Sequence, residues 1–207
     1  MVIKKVLLFC AVMAPPVIIA ILGVTHPRPL THDSSLYWRN LHIVLLPLFP
    51  LLALGPWLIA RSVDRRAGRL ALILGYVYAA FYSALDVLAG IGAGGLKHDH
   101  KTGIGVLFRL ASTLGDVGSY AFMGATMVAV GCALEKAPVR SIGGSIFVVA
   151  ASVVFWQEHI YWPKGALAMA ALAIGWGWIA WAVGLGDEPE VVTSRPVQET
   201  DPRLQER

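Results

Sequence analysis

Two apolar segments of the chain carry ionisable side chains at helical spacing. Tyr78, Tyr82 and Asp86 recur every four residues, so a helix would present all three on one face. A later segment repeats this spacing in Arg109, Ser112, Asp116 and Tyr120. A charged side chain at the centre of a membrane helix costs about 2.5–3.5 kcal/mol on insertion scales, so such groups face protein or water and find partners. This pattern favours the binding of a proton, a cation or a small solute.

These segments contribute most of a predicted ligand-binding site. Protonation of a buried carboxylate responds to nearby charge, so it can be coupled to the binding of a ligand. In this hypothesis the aspartates carry a proton or cation, and the arginines orient an anionic group or neutralise the acids. The predicted site has seven residues: Arg39, His42, Tyr82, Asp86, Arg109, Asp116 and His159. A structural interpretation stays open, in which an aspartate pairs with an arginine and only holds two helices together.

The histidines suggest a metal ion as an alternative ligand. Neutral imidazole and carboxylate groups bind zinc or copper. His42 and His159 would lie on helices, whereas His98 and His100 flank Asp99 in a short glycine-rich loop. Only His42 and His159 could face one another as axial ligands of a haem. The chain has no HxxxH or HExxH motif, so the spacing alone does not identify a metal or a cofactor.

The composition indicates that these residues are positioned by membrane helices. The chain is 57% hydrophobic and 14% charged, and its mean hydropathy is +0.65. Soluble domains contain about 25% charged residues, so the bilayer is the expected solvent and partner. The pI is about 9.2, but the arginines lie between apolar runs, which is typical of membrane topology, and nucleic acid is not an expected partner.

The predicted fold is an all-α integral membrane protein, a bundle of six transmembrane helices within residues 1–186. The predicted spans cover about 6–24, 37–60, 70–93, 106–133, 141–159 and 164–185. Residues 187–207 are polar, contain prolines and lack periodicity, so we expect a disordered cytoplasmic tail. Cys10 and Cys132 fall in different spans, and no disulfide is expected.

The distribution of positive charge predicts the orientation. One side of the topology collects most of the basic residues: Lys4, Lys5, Arg61, Arg65, Arg66, Arg69, Lys136 and Arg140. The positive-inside rule makes this side cytoplasmic, with both termini in the cytoplasm of a multi-pass protein of the cell (plasma or inner) membrane. All six histidines then lie toward the outer side. From the helical rise, Asp86 should lie about 10 Å and Asp116 about 15 Å inside the outer ends of their spans.

Three functions fit this pattern. The leading hypothesis is proton-coupled binding or translocation of a small solute or ion at an outward-facing intramembrane site. The second is a metal-assisted membrane-embedded enzyme acting on a lipid or isoprenoid head group, with His42 or His159 beside Asp86 as an acid/base pair. The third is an accessory subunit, in which small-residue faces such as Gly75–Ala79–Ser83 dock onto another membrane protein or a second copy.

Overall fold

The protein is a helical bundle in the computed structural model, which describes residues 2–187. The α-helices are α1 (Val2–Val24), α2 (His32–Leu45), α3 (Leu54–Val63), α4 (Arg65–Leu85), α5 (Ala93–His98), α6 (Ile104–Lys136), α7 (Pro138–Glu158) and α8 (Lys164–Ala182). A 3₁₀ segment, Phe49–Ala53, precedes α3, and a π-helix, Asp86–Gly92, joins α4 to α5. Residues 2–187 contain no strand. The predicted disordered tail lies outside the described residues from position 188 onward.

The helices confirm an all-α protein with several candidate membrane spans. Within the described chain, five helical segments are long and apolar enough to cross a bilayer: Val2–Val24, Arg65–His98, Ile104–Lys136, Pro138–Glu158 and Lys164–Ala182. The pair His32–Leu45 and Phe49–Val63 is bent by 41° and makes a sixth span when counted as one. Pro47 and Pro50 lie at this bend, where each removes a backbone N–H from the helical ladder.

The two described ends of the chain lie at the same end of the bundle. Lys5 Nζ on α1 is 2.6 Å from Asp187 Oδ1, just after α8. We call this the terminal end, and by alternation of the helices it also carries the α3–α4 connection. The opposite end carries residues 25–31 and 159–163, and we call it the histidine end.

Several helices extend beyond α1 and α7 at the histidine end. His42 lies about 15 Å along α2 by helical rise, yet its ring contacts His26, which directly follows α1. Asp116, about 18 Å along α6, is hydrogen-bonded to Trp156 near the end of α7. The first turns of α2 and α6 therefore lie beyond the ends of α1 and α7. Asp116 is level with the end of α7 although it lies far from the start of its own helix, because α6 is longer than a bilayer requires.

Small residues allow the helices to approach closely. At Gly144 on α7, an added Cβ would be 2.9 Å from the carbonyl oxygen of Gly175 on α8. On α4, a Cβ at Gly75 would be 3.0 Å from Ala53 Cβ. Close backbone approach of this kind is how membrane helices gain packing energy without a hydrophobic driving force between them.

Replacing Gly144 with alanine should weaken the contact between α7 and α8. The new methyl group would be too close to a backbone carbonyl, so we expect a loss of about 1–3 kcal/mol in the free energy of unfolding. Reversible denaturation in detergent micelles measures this change. Gly131→Ala is the matched control, because nothing lies within 4 Å of its added Cβ. Equal destabilisation by both substitutions would contradict the predicted contact.

Candidate functional site

Three histidines from distant parts of the chain meet at the histidine end. His26 follows α1, His42 lies on α2, and His159 follows the last residue of α7. One ring nitrogen from each lies within 4.8 Å of the others, and we call this group the histidine cluster. His26 and His42 are buried, and His159 is half-buried. The cluster therefore joins α7 to the first two helices of the chain.

Backbone carbonyls fix the tautomers of two of these rings. His26 Nδ1 is 2.9 Å from the carbonyl oxygen of Pro27, and His42 Nδ1 is 2.7 Å from that of Trp38. Because a carbonyl can only accept, each Nδ1 carries the hydrogen and donates it. In the neutral rings both Nε2 atoms are then unprotonated, and they lie 3.4 Å apart. Two nitrogen lone pairs at this distance repel unless a cation lies between them.

A proton is a poor candidate for that cation. Burial, together with a smaller contribution from the neighbouring His42, lowers the pKa of His26 to about 4. The His26 imidazole is therefore neutral near pH 7, which is the form that binds metal ions. The distance between the two Nε2 atoms also suits a metal, since tetrahedral Zn–N bonds of about 2.0–2.1 Å separate neighbouring nitrogens by about 3.3 Å.

The His159 ring has a fixed hydrogen-bond partner, and the His159 backbone has an unusual conformation. Its Nδ1 shares a hydrogen bond of 2.6 Å with the Tyr82 hydroxyl on α4. Its φ of 52° lies in the region that residues with a side chain rarely adopt. Such backbone strain is concentrated at binding and catalytic sites, where the surrounding structure supports it.

Asp86 adds a carboxylate beside the cluster. It is the first residue of the π-helix, it is fully buried, and its Oδ1 lies 3.9 Å from His42 Nε2. Neither carboxylate oxygen has a hydrogen-bond partner among the described residues. Gly90, one turn later, must be glycine because a Cβ there would overlap the His42 ring. A buried carboxylate without partners is costly, so this position also calls for a cation.

A cavity of about 200 Å³ connects the histidine cluster to the surface. His42, Tyr82 and His159 line its buried part, and exposed Asp116 lies at its opening. The Trp156 indole N–H donates to Asp116 Oδ1 at 2.9 Å, which fixes the carboxylate there. A small molecule can therefore reach the cluster without passing through the core of the bundle.

The structure brings together most of the seven predicted site residues but not the arginines. His42, Tyr82, Asp86 and His159 lie within one constellation, and Asp116 joins it through the cavity. Arg39 packs its backbone against Gly94 of α5, and its Nε donates to Asn40. Arg109 is exposed on α6 near Gly105. Within residues 2–187, neither arginine forms an ion pair with either aspartate.

The sequence-based site omitted three residues that the structure places there: His26, Trp38 and Tyr161. The sequence places His26 only toward the outer side, together with the other five histidines. A signal was available, because His26 directly follows the first span and His159 ends the fifth, so both lie at the same membrane surface. Trp38 and Tyr161 line the cavity, and their aromatic character suggested only interfacial anchoring.

No protein-family model, curated protein or solved structure matches this chain. Fold and site together define a multi-pass helical membrane protein with a tri-histidine cluster and an adjacent buried carboxylate. The chemistry of these side chains is therefore the basis for its function.

Water-soluble reagents should reach the cavity but not the interior of the bundle. In a chain with Cys10→Ala and Cys132→Ala, we expect Ser112→Cys, which lines the open cavity, to react with a charged maleimide at least about tenfold faster than Ser145→Cys. Ser145 is the control because it is buried on α7. Labelling rates measured by mass spectrometry test this, and equal rates would show that the cavity is closed in the membrane protein.

Proposed function

We propose that this protein binds a first-row transition-metal cation, with Zn²⁺ as the best-fitting ion, at the histidine cluster. This cation would be the ligand in the sequence-based hypothesis, which expects a small solute or an ion at an intramembrane site. His26, His42 and His159 supply three nitrogen ligands, and the Asp86 carboxylate lies next to them. His42 and His159 face the open cavity, which leaves a coordination position for water or another ligand.

The observation that carries the proposal is the approach of two unprotonated nitrogens. His26 Nε2 and His42 Nε2 are 3.4 Å apart, and carbonyl oxygens hold the hydrogen of each ring on the opposite nitrogen. Metal-binding histidines typically donate their second ring N–H in this way, which orients the ligating nitrogen. With the hydrogen of each ring on Nδ1, neither Nε2 has a hydrogen to donate, so this approach is not a hydrogen bond between two neutral rings.

The donor set selects a class of ion. Imidazole nitrogens suit zinc, copper, iron and nickel, whereas magnesium and calcium prefer oxygen ligands. Three imidazoles with one carboxylate are a common combination for zinc. The Tyr82 hydroxyl would act as a positioning group, because it contacts His159 Nδ1 and so fixes the ring that presents its other nitrogen.

We also propose a location for the protein and translocation of the bound cation. The basic residues at the terminal end support a plasma or inner membrane protein with both termini in the cytoplasm and the histidine end outside. Translocation is supported by buried hydroxyls further toward the terminal end, on Tyr78 and Thr126, which lack partners among the described residues. Unsatisfied buried oxygens are rare and are available to a passing cation or water.

Purified protein should contain about one zinc-class ion per chain. Elemental mass spectrometry of detergent-purified protein measures the metal content, and we expect His42→Gln and His26→Gln each to abolish stoichiometric binding. His98→Gln is the matched control, because His98 is at the end of α5, outside the cluster. Metal-free wild-type protein that also fails to take up added Zn²⁺ would overturn the proposal.

Tyr82→Phe should weaken metal binding without removing a ligand. The substitution deletes the hydroxyl that holds His159, and the loss of such an orienting hydrogen bond typically costs about 10- to 100-fold in metal affinity. Competition with a chromophoric chelator measures the affinity. Tyr76→Phe serves as the control, because Tyr76 is exposed on α4. An unchanged affinity in Tyr82→Phe would remove Tyr82 from the site.

Asp86→Asn should have opposite effects on the metal-free and metal-loaded protein. Replacing an unpaired buried carboxyl by an amide should raise the melting temperature of the metal-free protein, because the amide has no ionised form to desolvate. The same change should lower zinc affinity at least about tenfold, since it removes the nearby negative charge. Differential scanning fluorimetry with and without Zn²⁺ separates the two effects. A lower melting temperature in both states would favour a structural role for Asp86.

A metal-assisted enzyme acting on a lipid or isoprenoid head group is the second candidate. The cavity favours it, because its opening at Asp116 and Trp156 is level with the end of α7, where head groups would lie. Metal-bound water beside Asp86 would provide a nucleophile and a base. Chelator-sensitive release of a head group from bilayer lipids by the zinc-loaded protein would support this candidate. Zinc uptake into proteoliposomes without lipid turnover would support translocation.

A further inference from the structure

A second polar cavity, of about 670 Å³, lies at the terminal end between α3 and α4. It is at the opposite end of the bundle from the histidine cluster, so it is independent of the proposed metal site. Four arginines line it: Arg61, Arg65, Arg66 and Arg69. All four are exposed, and their side chains surround one concave surface. The cavity therefore concentrates positive charge in a space large enough for an anionic group.

The acidic residue at this cavity already accepts a backbone hydrogen bond. Asp64 is the carboxylate that lines it, and its Oδ1 accepts the Ala67 backbone N–H at 2.6 Å as the N-cap of α4. Among residues 2–187, none of the four arginines has an ion-pair partner within 4.0 Å. The charge of the cavity is thus not neutralised by the described part of the chain.

Two of the four arginines occupy positions that helix stability does not favour. Arg65 and Arg66 form the first turn of α4, which contains no acidic residue. The positive end of a helix dipole prefers acidic side chains, and cations there are unfavourable. The helix end and its arginines therefore add to one positive field, and a bound anion would stabilise both.

The walls of the cavity also include apolar side chains. The Arg61 guanidinium lies 5.8 Å from the centroid of the Trp57 ring, and Leu72 lies one turn beyond Arg69 on α4. At Gly68, a Cβ would be 2.7 Å from the Arg61 Cα, so the two helices approach closely and fix this arrangement. Tryptophan beside arginine is typical of the membrane interface, where a head group meets acyl chains.

We propose that this arginine cavity binds the phosphate head group of an anionic membrane phospholipid. Guanidinium groups donate paired hydrogen bonds to phosphate oxygens. Trp57 and Leu72 give the glycerol backbone and upper acyl chains an apolar surface. Basic pockets beside membrane helices bind anionic head groups in this way. The ligand comes from the bilayer because these apolar side chains would contribute nothing to binding a free phosphate ion.

The test replaces all four cavity arginines with lysine in the full-length protein. Arg61→Lys, Arg65→Lys, Arg66→Lys and Arg69→Lys together keep the charge and the topology signal but remove the paired donors. Native mass spectrometry during titration with phosphatidylglycerol or phosphatidylcholine measures lipid affinity. We expect wild type to prefer phosphatidylglycerol and the fourfold variant to bind it at least about tenfold more weakly. Arg140→Lys is the control at the same end, outside the cavity, and should bind like wild type.

Three results would overturn the proposal. Equal affinity of wild type for the two lipids would show that the head-group charge is not recognised. Unchanged phosphatidylglycerol affinity in the fourfold variant would show that net positive charge, and not paired guanidinium donors, accounts for lipid binding. Equal thermal stabilisation by inorganic phosphate and by phosphatidylglycerol would identify a soluble anion as the ligand. Arg66→Lys alone provides a milder variant if the fourfold protein fails to fold, and a loss of phosphatidylglycerol preference is expected there too.

Discussion

The main physical constraint at the histidine end is that two nitrogen lone pairs repel each other at short distance. His26 and His42 present unprotonated Nε2 atoms to each other at 3.4 Å, and the unpaired carboxylate of Asp86 lies close by. The approach of the two nitrogens and the unpaired carboxylate are each unfavourable alone, and one bound cation would stabilise both. The helices α1, α2, α4 and α7 all contribute to this point or end beside it. Binding a cation there would therefore join most of the bundle, which couples metal binding to folding.

The two ends of the molecule have opposite chemistry. The histidine end offers lone pairs and a carboxylate to a cation, within a cavity bordered by aromatic rings. The terminal end offers guanidinium groups to an anion, beside a tryptophan. The positive-inside rule relates the side on which arginines occur to membrane topology, and it does not predict their gathering around one concave surface whose acidic residue caps a helix. This polarity allows each end to interact with a different partner.

The helical membrane fold could be predicted because each membrane helix is recognised from its own residues. Low charge and long apolar runs are properties of each segment, whatever its neighbours, so the helices and their order followed directly. The spacing of Tyr82 and Asp86 also placed them correctly on one helix face. Relative depth was less predictable. Asp116 is level with the end of α7 because α6 extends beyond it, and hydropathy does not reveal such an offset between helices.

His26 shows why part of the site could not be predicted. No periodicity includes it, and its role depends on contacts of its ring with His42 within α2 and with His159 at the end of α7. That contact joins residues near the two extremes of the described chain. The histidine cluster therefore cannot form until α7 has entered the membrane during synthesis. A chain made only as far as α6 would expose its first histidines without His159, so metal occupancy would report that α7 has joined α1 and α2.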